Sequence, residues 1–435
     1  MKLGLSGHLT KAFIRSPLTP LILLASLAVG LLALMVIPRE EEPQISVPMV
    51  DVMIQTDGLR AADGVELVTE PLEAIIRSID GVEHVYSQTS DDQVMVTARF
   101  DVGTDPDAAI LRVHERIRAN MDRIPHGIPE PLVVGRGIDD VAIVSLTLSP
   151  RADEAGHWDD NALYNIVEEL RAALLSVEDV GLTYIVGGRA DQIRIEPDPE
   201  RLSQYGITLQ QLAGRIAEAN RSFPVGDLTA TDQTWSVTAG QTLQGIPDIG
   251  LLLVTSRDGR PVYVRDVATV VVGSMPTDAR AWMLNREEGE SEWNRLPAVT
   301  LAIAKREGAN AVVVSEHIIE RIESLEGTLI PEGIEVTITR NYGETANEKA
   351  NELLFHLALA TVSIVLLVTF VIGWREGVVV FVVIPTTILL TLFASNLMGY
   401  TINRVSLFAL IFSIGILVDD AIVVIENIAR HWAMR

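Results

Sequence analysis

Two adjacent carboxylates, Asp419 and Asp420, lie midway along the apolar run 405–428. A charge at the centre of a membrane helix costs about 2.5–3.5 kcal/mol on insertion scales. Two neighbouring charges also repel each other, so both effects favour proton binding, and the release of the two protons must be coupled. Asp419 and Asp420 are therefore candidates for reversible protonation inside a membrane.

Two other interpretations of this pair are an ion pair that only holds helices together and a cation-transport site. No lysine or arginine lies within the apolar runs, since Arg375 and Arg404 fall in the linkers between them. A counter-ion must then come from a helix outside this chain, and proton coupling is favoured. Ser413 and Gly415 are small, and we expect them to permit close helix packing beside the site.

Four apolar runs are long enough to cross a bilayer, which needs about 20 residues. They are predicted as transmembrane helices at 18–37, 353–372, 378–398 and 405–428. The first run follows basic residues, as in a cleaved secretory signal, but it is longer and ends without a small-residue cleavage site. It is therefore predicted to be an uncleaved anchor.

The basic residues near the apolar runs predict the orientation of the chain. One side carries Lys2, Lys11, Arg15, Arg375, Arg430 and Arg435, whereas the opposite short linker carries Arg404 alone. The excess of basic residues on cytoplasmic loops then predicts a cytoplasmic N-terminus, residues 1–17, and an extracytoplasmic segment of about 38–352. The net charge is −24, and only four of the 58 acidic residues lie outside 38–356. Such an acidic segment argues against nucleic acid as a partner.

Short strand patterns alternate with helical patterns in the extracytoplasmic segment. The first set predicts strand 47–55, helix 62–79 with Pro71 kinking it or starting a second segment, strands 82–87 and 94–100, helix 106–124 and strand 131–134. This order predicts a split βαβ unit with helices on one face of a sheet.

The pattern returns as strand 141–148, helix 162–175 and strands 182–186 and 192–195. Gly81 and Gln93 in the first set match Gly181 and Gln192 in the second, which indicates an internal repeat. A third set (298–305, 311–325 and 334–340) is predicted to complete the second unit. Residues from about 190 to 290 then form an insertion, with a helix at 209–219 and strands at 233–239, 251–255 and 262–264.

Motifs for catalysis or metal binding are absent from the sequence. There is no cysteine, and the eight histidines are scattered without metal-ligand spacing. Gly187-Gly188 is predicted to be a turn at a strand end rather than a phosphate cradle. We therefore expect neither an enzyme nor a bound cofactor or metal.

Several sequence motifs resemble those of the resistance–nodulation–division (RND) exporters of the AcrB type. The most specific is Gly415-Ile416-Leu417-Val418-Asp419-Asp420-Ala421-Ile422-Val423-Val424-Ile425-Glu426-Asn427. Others are Pro38-Arg39-Glu40-Glu41-Glu42-Pro43 and Val262-Tyr263-Val264-Arg265-Asp266-Val267-Ala268, with further matches at 68–73 and 100–105. The resemblance covers the whole chain and is looser in the insertion.

The resemblance implies a membrane α-helical plus α+β fold. Four transmembrane helices would carry a large extracytoplasmic domain of repeated βαβ, ferredoxin-like porter subdomains and an inserted docking subdomain. Residues 44–135 resemble the first porter subdomain, residues 136–190 with 276–345 the second, and residues 191–275 the docking insertion.

The resemblance also implies a function. It suggests a trimeric pump of the bacterial inner membrane that exchanges protons, through Asp419 and Asp420, for small amphiphilic compounds taken from the periplasm or the membrane. A periplasmic adaptor protein and an outer-membrane channel would complete the path, and no cofactor would take part.

The chain also departs from the family pattern. It ends after the fourth run, without the family's second half and the lysine that faces the aspartate pair, which suggests a half pump, a truncated product or one chain of a split pump. Residues 132–146 contain no aromatic residue, which argues against the drug pocket of the multidrug members. Two aspartates argue against the heavy-metal branch. The alternatives are a non-transporting, membrane-anchored binding or secretion-assisting protein and an inactive fragment.

Overall fold

The computed structural model describes most of the chain. The described residues are 5–14, 16–41, 43, 45–230, 233–241, 243, 245–257, 259–277, 279–286 and 293–434. Among the residues used above, Lys2, Arg15, Glu42 and Arg435 lie outside this set.

Two helices open the chain, α1 (Leu5–Phe13) and α2 (Leu18–Val36). Helix α2 coincides with the first predicted run and has a mean hydropathy of 2.4 in its most apolar window. It ends where Ile37 becomes extended, with φ −60° and ψ 129°. Pro38 follows, and a residue before proline is disfavoured in the helical region.

The next segment folds into an antiparallel four-stranded sheet with helices on one face. Its elements are β1 (Met49–Gln55), α3 (Ala61–Gly64), α4 (Glu70–Arg77), β2 (Val82–Ser90), β3 (Gln93–Phe100), α5 (Pro106–Arg118) and β4 (Leu132–Arg136). The strand order is β2-β3-β1-β4. Alternate residues of β3, from Val94 to Phe100, are fully buried against the helices because successive side chains of a strand point to opposite faces.

The two helices predicted in this segment are confirmed with changed boundaries. A π-helical turn, Val65–Thr69, separates α3 from α4, and Pro71 lies in the first turn of α4. Proline is tolerated there because the first amides of a helix lack an intrahelical acceptor. Helix α5 ends at Arg118, earlier than predicted, and a 3-10 turn follows at Met121–Arg123.

The middle of the chain contains a second sheet and an insertion. In chain order the elements are β5 (Ala142–Pro150), α6 (Asp160–Leu174), β6 (Val180–Val186), β7 (Asp191–Pro197), α7 (Pro199–Tyr205), α8 (Leu209–Ala219), β8 (Arg221–Ala230), β9 (Gln233–Gln241), α9 (Ile246–Gly250), β10 (Leu253–Arg257), β11 (Arg260–Tyr263), α10 (Val264–Val267), β12 (Ala268–Ser274), β13 (Ala281–Asn285), β14 (Asn294–Lys305), α11 (Ala311–Leu325) and β15 (Ile334–Asn341).

Strand β14 organises the second sheet. It pairs with β13 through its first residues, with β6 through its later residues and with β5 on the other side, while β15 pairs with β5. All these pairs are antiparallel. Helices α6 and α11 cover the sheet and share its core with Leu146, Leu148 and Leu301.

The internal repeat is present, but one predicted strand match is wrong. In the first sheet, β1 pairs with β3 and β4, and β2 pairs with β3. The second sheet has the same arrangement, in which β5 pairs with β14 and β15, and β6 pairs with β14. The counterpart of β3 is therefore β14, not the strand at 192–195. The reason is burial. Strand β14 is apolar from Leu296 to Ala304 except for Thr300, which suits a central strand, whereas apolar and charged residues such as Arg194 and Glu196 alternate in β7.

Strand β7 belongs to the insertion, where it pairs with β12, which the sequence patterns did not predict. Strands β8 and β9 form a long hairpin, and β10 pairs with β11. The predicted strand 262–264 is corrected, because Val264 begins α10 and the Tyr263 amide donates to the Asp266 carboxylate. Gly187 and Gly188 both have positive φ in the turn between β6 and β7, as predicted.

Three long helices close the chain: α12 (Tyr342–Val371), α13 (Trp374–Leu397) and α14 (Arg404–Ala433). Among the described residues, α2, α12 and α13 are long and apolar enough to cross a membrane, and α14 contains the shorter apolar stretch Arg404–Ser413. Helix α12 begins eleven residues before the predicted run at 353, directly after β15. One continuous helix therefore joins the second sheet to the membrane segment.

Candidate functional site

Helix α14 begins at a side-chain cap and carries the aspartate pair near its middle. The Asn403 side-chain oxygen accepts from the Ser406 amide at 2.9 Å, and the Asn403 amide donates to the Ser406 hydroxyl at 2.9 Å. At about 1.5 Å per residue, Asp419 lies about 22 Å along the axis from the start of α14. The pair is thus deep in the helix, far from the extended linker before it.

The two aspartates lie on the uncovered side of α14. Leu407 and Ile425 are buried against the neighbouring helices, and Ile422 packs beside them. With about 100° per residue, Asp420 projects from the opposite face and Asp419 from the edge of the packed face. Both side chains are exposed, and no ion pair among the described residues involves either of them.

The two small residues predicted to pack beside the site have few neighbours in the described part of the chain. The Ser413 hydroxyl donates to the Ala409 carbonyl at 2.7 Å, and nothing lies within 4 Å of a Cβ built at Gly415. Close packing at these positions stays a prediction. A close glycine contact between two of the long apolar helices is at Gly30, in α2, against Leu389 of α13. The spacing of Ser26 and Gly30, a small residue at every fourth position, is the sequence signal for it.

The end of α2 and the start of α14 meet in a short parallel bridge. The Glu40 amide donates to the Ile402 carbonyl at 2.9 Å, and the Ile402 amide donates to the Pro38 carbonyl at 2.8 Å. The Arg39 guanidinium donates to Asn347 in α12 at 2.7 Å. This bridge and the Arg39 contact join α2, α12 and α14 at one level of the molecule.

The Glu40 side chain lies in this bridge and forms a buried ion pair. Its Oε1 lies 2.8 Å from Lys305 Nζ at the end of β14, and its Oε2 accepts from the Thr401 hydroxyl at 3.0 Å. The Glu40 and Lys305 side chains are 4% and 6% exposed. The sequence analysis did not assign them a role, although a lysine closing an apolar strand was a signal, because charged residues are rarely fully buried unless paired.

A cavity of about 280 Å³ adjoins the ion pair. Glu40, Glu41, Asp139, Lys305 and Tyr342 are among its lining residues. Burial raises the pKa of the Asp139 carboxyl above its ordinary value; Lys305 opposes this rise, and the nearby carboxylates reinforce it.

A second cavity, of about 690 Å³, runs from Glu40 along α13 and α14 as far as Ser413. Hydroxyl and amide side chains contribute to its wall, among them Thr391, Ser395 and Asn403. Groups of this kind can hold water between helices.

A model described as the AcrB/AcrD/AcrF family matches residues 9–435, almost the whole chain. The chain belongs to the AcrB/AcrD/AcrF family. The RND permease resemblance found in the motifs is thereby confirmed. AcrB/AcrD/AcrF proteins are transporters, so membership together with the apolar helices indicates an inner-membrane protein rather than an enzyme.

Similar proteins of the AcrB/AcrD/AcrF type carry the name multidrug resistance protein MdtC. The protein from Yersinia enterocolitica serotype O:8 / biotype 1B (strain NCTC 13174 / 8081) is 28% identical over 422 residues, which cover 96% of this chain and 40% of the relative. Those from Yersinia pseudotuberculosis serotype O:1b (strain IP 31758) and Yersinia pestis bv. Antiqua (strain Angola) are each 28% identical over 423 residues, with the same shares covered. The chain spans 40% of the length of these relatives.

Proposed function

We propose that this chain is part of a proton-driven exporter in which Asp419 and Asp420 take up and release protons as substrate moves outward. The observation that carries the proposal is the position of the two carboxylates, deep in α14 and away from the face packed by α12 and α13. Ionised carboxylates are costly inside a membrane, so a change in their surroundings changes their proton occupancy. That link between surroundings and protonation is what coupling to a proton gradient requires.

The uncovered side of α14 is expected to face protein rather than lipid. Charged side chains within a membrane nearly always face a bundle interior or a water-filled cavity. We expect a further helix or subunit to cover Asp420 and to supply its counter-ion.

The membrane topology is proposed to consist of four spans, with α14 as the fourth. The Arg39–Ile402 bridge supports the orientation, because it holds the linker before α14 on the same side as both sheets. Residues 38–352 would then be periplasmic, and the N-terminus and the short linker between α12 and α13 cytoplasmic.

The extracytoplasmic region is proposed to contain two porter subdomains, 44–135 and 136–190 with 276–345, and a docking insertion, 191–275. The two sheets of equivalent strand pairing support the first two. The relatives' name supports small amphiphilic compounds as substrates.

The complete pump is proposed to act as a trimer with an adaptor protein and an outer-membrane channel. The hairpin β8–β9 supports self-association, since its side chains Phe223 and Trp235 are more than half exposed. Exposed large apolar groups on a projecting element are typical of a contact surface.

The test uses the complete transporter with single substitutions Asp419→Asn and Asp420→Asn. We expect each to abolish export and proton flux while the amount of assembled protein stays unchanged. Glu426→Gln is the matched control, because it removes a carboxylate from the same helix about two turns away. Normal export in both aspartate variants would contradict the proposal.

A further inference from the structure

The Glu40–Lys305 ion pair has features that stability alone does not account for. Glu40 Oε1 and Lys305 Nζ lie 2.8 Å apart as an ion pair, and within the described residues neither atom has a hydrogen-bond partner of good geometry. An ammonium group has three donors, so at least two of them find no acceptor among the described residues. Burying two charges is expensive, and apolar residues of similar volume often serve stability as well or better.

The pair lies where membrane helices and the second sheet meet. Glu40 belongs to the extended segment after α2, whereas Lys305 closes β14, the strand that pairs with three others. Glu40 therefore connects the segment after α2 directly to the central strand of the second sheet.

A continuous set of polar contacts leads from α14 to this pair. The Asn403 side chain, which caps α14, donates to the Thr401 hydroxyl at 3.2 Å, and that hydroxyl donates to Glu40 at 3.0 Å. The backbone bridge between Glu40 and Ile402 runs beside these contacts. The start of the helix that carries Asp419 and Asp420 is thus connected to Lys305 through Asn403, Thr401 and Glu40.

The surroundings of the pair offer Lys305 a second position. Asp139, in the segment just before β5, shares the 280 Å³ cavity with Lys305 and interacts electrostatically with it. Glu41 lines the same cavity, and Glu307 adds further negative charge. An under-satisfied ammonium near several carboxylates can exchange one carboxylate partner for another.

We infer that Glu40 and Lys305 are positioning residues for transport, which transmit displacement of α14 to the second sheet. The inference rests on the proposed function, because it takes the protonation of Asp419 and Asp420 as the source of the displacement.

The test measures a distance rather than transport. This chain contains no cysteine, so Glu335→Cys in β15 and Val405→Cys in α14 give it two exposed sites for spin labels. In the complete transporter, any cysteine outside this chain is first replaced by serine. Asp419→Asn with Asp420→Asn serves as a mimic of the proton-loaded state. With the pair intact, we expect this mimic to shift the distance distribution between the labels.

Lys305→Met is expected to abolish that shift, and Lys305→Arg, which keeps the charge, to preserve it. Thr401→Val removes only the hydroxyl contact, so it is expected to reduce the shift without leaving a buried charge unpaired. Lys349→Met is the matched control, because the Lys349–Glu352 pair is about half exposed.

If the pair has only a structural role, Lys305→Met lowers the thermal stability but leaves the shift in the distance between the labels unchanged. That result, or no shift with the pair intact, overturns the inference. Neither result bears on the export defect of Asp419→Asn, so failure of this inference is distinguishable from failure of the proposed function.

Discussion

Arg189 holds Asp160 through two nitrogens of its guanidinium group, with Nε 2.9 Å and Nη2 2.5 Å from Oδ1. Asp160 begins α6, and Arg189 lies where the chain leaves the second sheet for the insertion. Arg280, where the chain returns, approaches the same carboxylate at 3.6 Å. The buried carboxylate of Asp160 therefore binds an arginine at each of the two points where the chain passes between the second sheet and the insertion.

We expect Asp160→Asn to destabilise the protein by about 2–3 kcal/mol, below the ~3–5 kcal/mol of a fully buried pair because Arg189 is partly exposed. Burial by itself raises the pKa of Asp160, but the hydrogen bond and charge of Arg189, with Arg280, lower it overall. Because the pKa of Asp160 is lower in the folded state, its ionised form stabilises the protein at pH values above the unfolded-state pKa of about 3.9. This stabilisation is lost as the pH falls through the folded-state pKa.

Thermal unfolding of the complete protein in detergent between pH 2 and 8 checks this expectation. Wild type and Asp160→Asn should differ most near neutral pH and converge in acid. Arg201→Met, which breaks an exposed pair with Asp198, should change stability by less than about 0.5 kcal/mol. A difference that stays constant across the pH range contradicts the assignment.

Asp139→Asn should have the opposite sign of pH dependence. Burial raises the pKa of Asp139, so the folded protein binds a proton more tightly there than the unfolded chain does. The free energy of unfolding then falls as the pH rises from the ordinary pKa of the unfolded state to the raised pKa of the folded state. It stays lower at every pH above the raised pKa. The variant should therefore unfold at a higher temperature than wild type at pH 7, and the difference should vanish in acid. A lower unfolding temperature at pH 7 counts against this account.

Gly30→Ala should weaken the packing of α2 on α13. A Cβ at this buried position would lie 2.8 Å from the Leu389 carbonyl oxygen, so the helices must separate. Overpacking of this kind costs about 1–3 kcal/mol. Gly214→Ala in α8 is the control, since nothing lies within 4 Å of its Cβ position. Equal unfolding temperatures for the two variants in detergent would show that the helices are not in close contact.

Trp235→Asp should reduce self-association of the complete transporter if hairpin β8–β9 contacts another copy. Trp235 is 59% exposed, so a charge there leaves the chain's own fold intact but disfavours an apolar contact. Native mass measurement of the solubilised protein gives the oligomeric state. Thr234→Asp, at an exposed neighbouring position of the hairpin, should have little effect. An unchanged oligomer in Trp235→Asp rules out this surface as the contact.

The membrane helices and most strands of the two sheets could be predicted from local patterns. The run 18–37 is apolar on every side, as expected for a helix in a membrane, and β3 alternates between more and less buried residues, as expected for a strand with one face in a core. In both cases the local sequence alone indicates which faces of the element are apolar. Strand pairing was predicted less well. The run at 192–195 follows β6 closely in the chain, but β14 takes the place beside β6.

The sequence by itself determined that two carboxylates lie midway along an apolar run, because adjacency and hydropathy are properties of the chain. Only the tertiary structure decided which side of α14 is packed, and that Glu40 meets Lys305. These contacts join residues far apart in the chain, and no local periodicity records them. The physical reason is that burial depends on all the elements that surround a group, whereas a sequence pattern reports only the face of its own helix or strand.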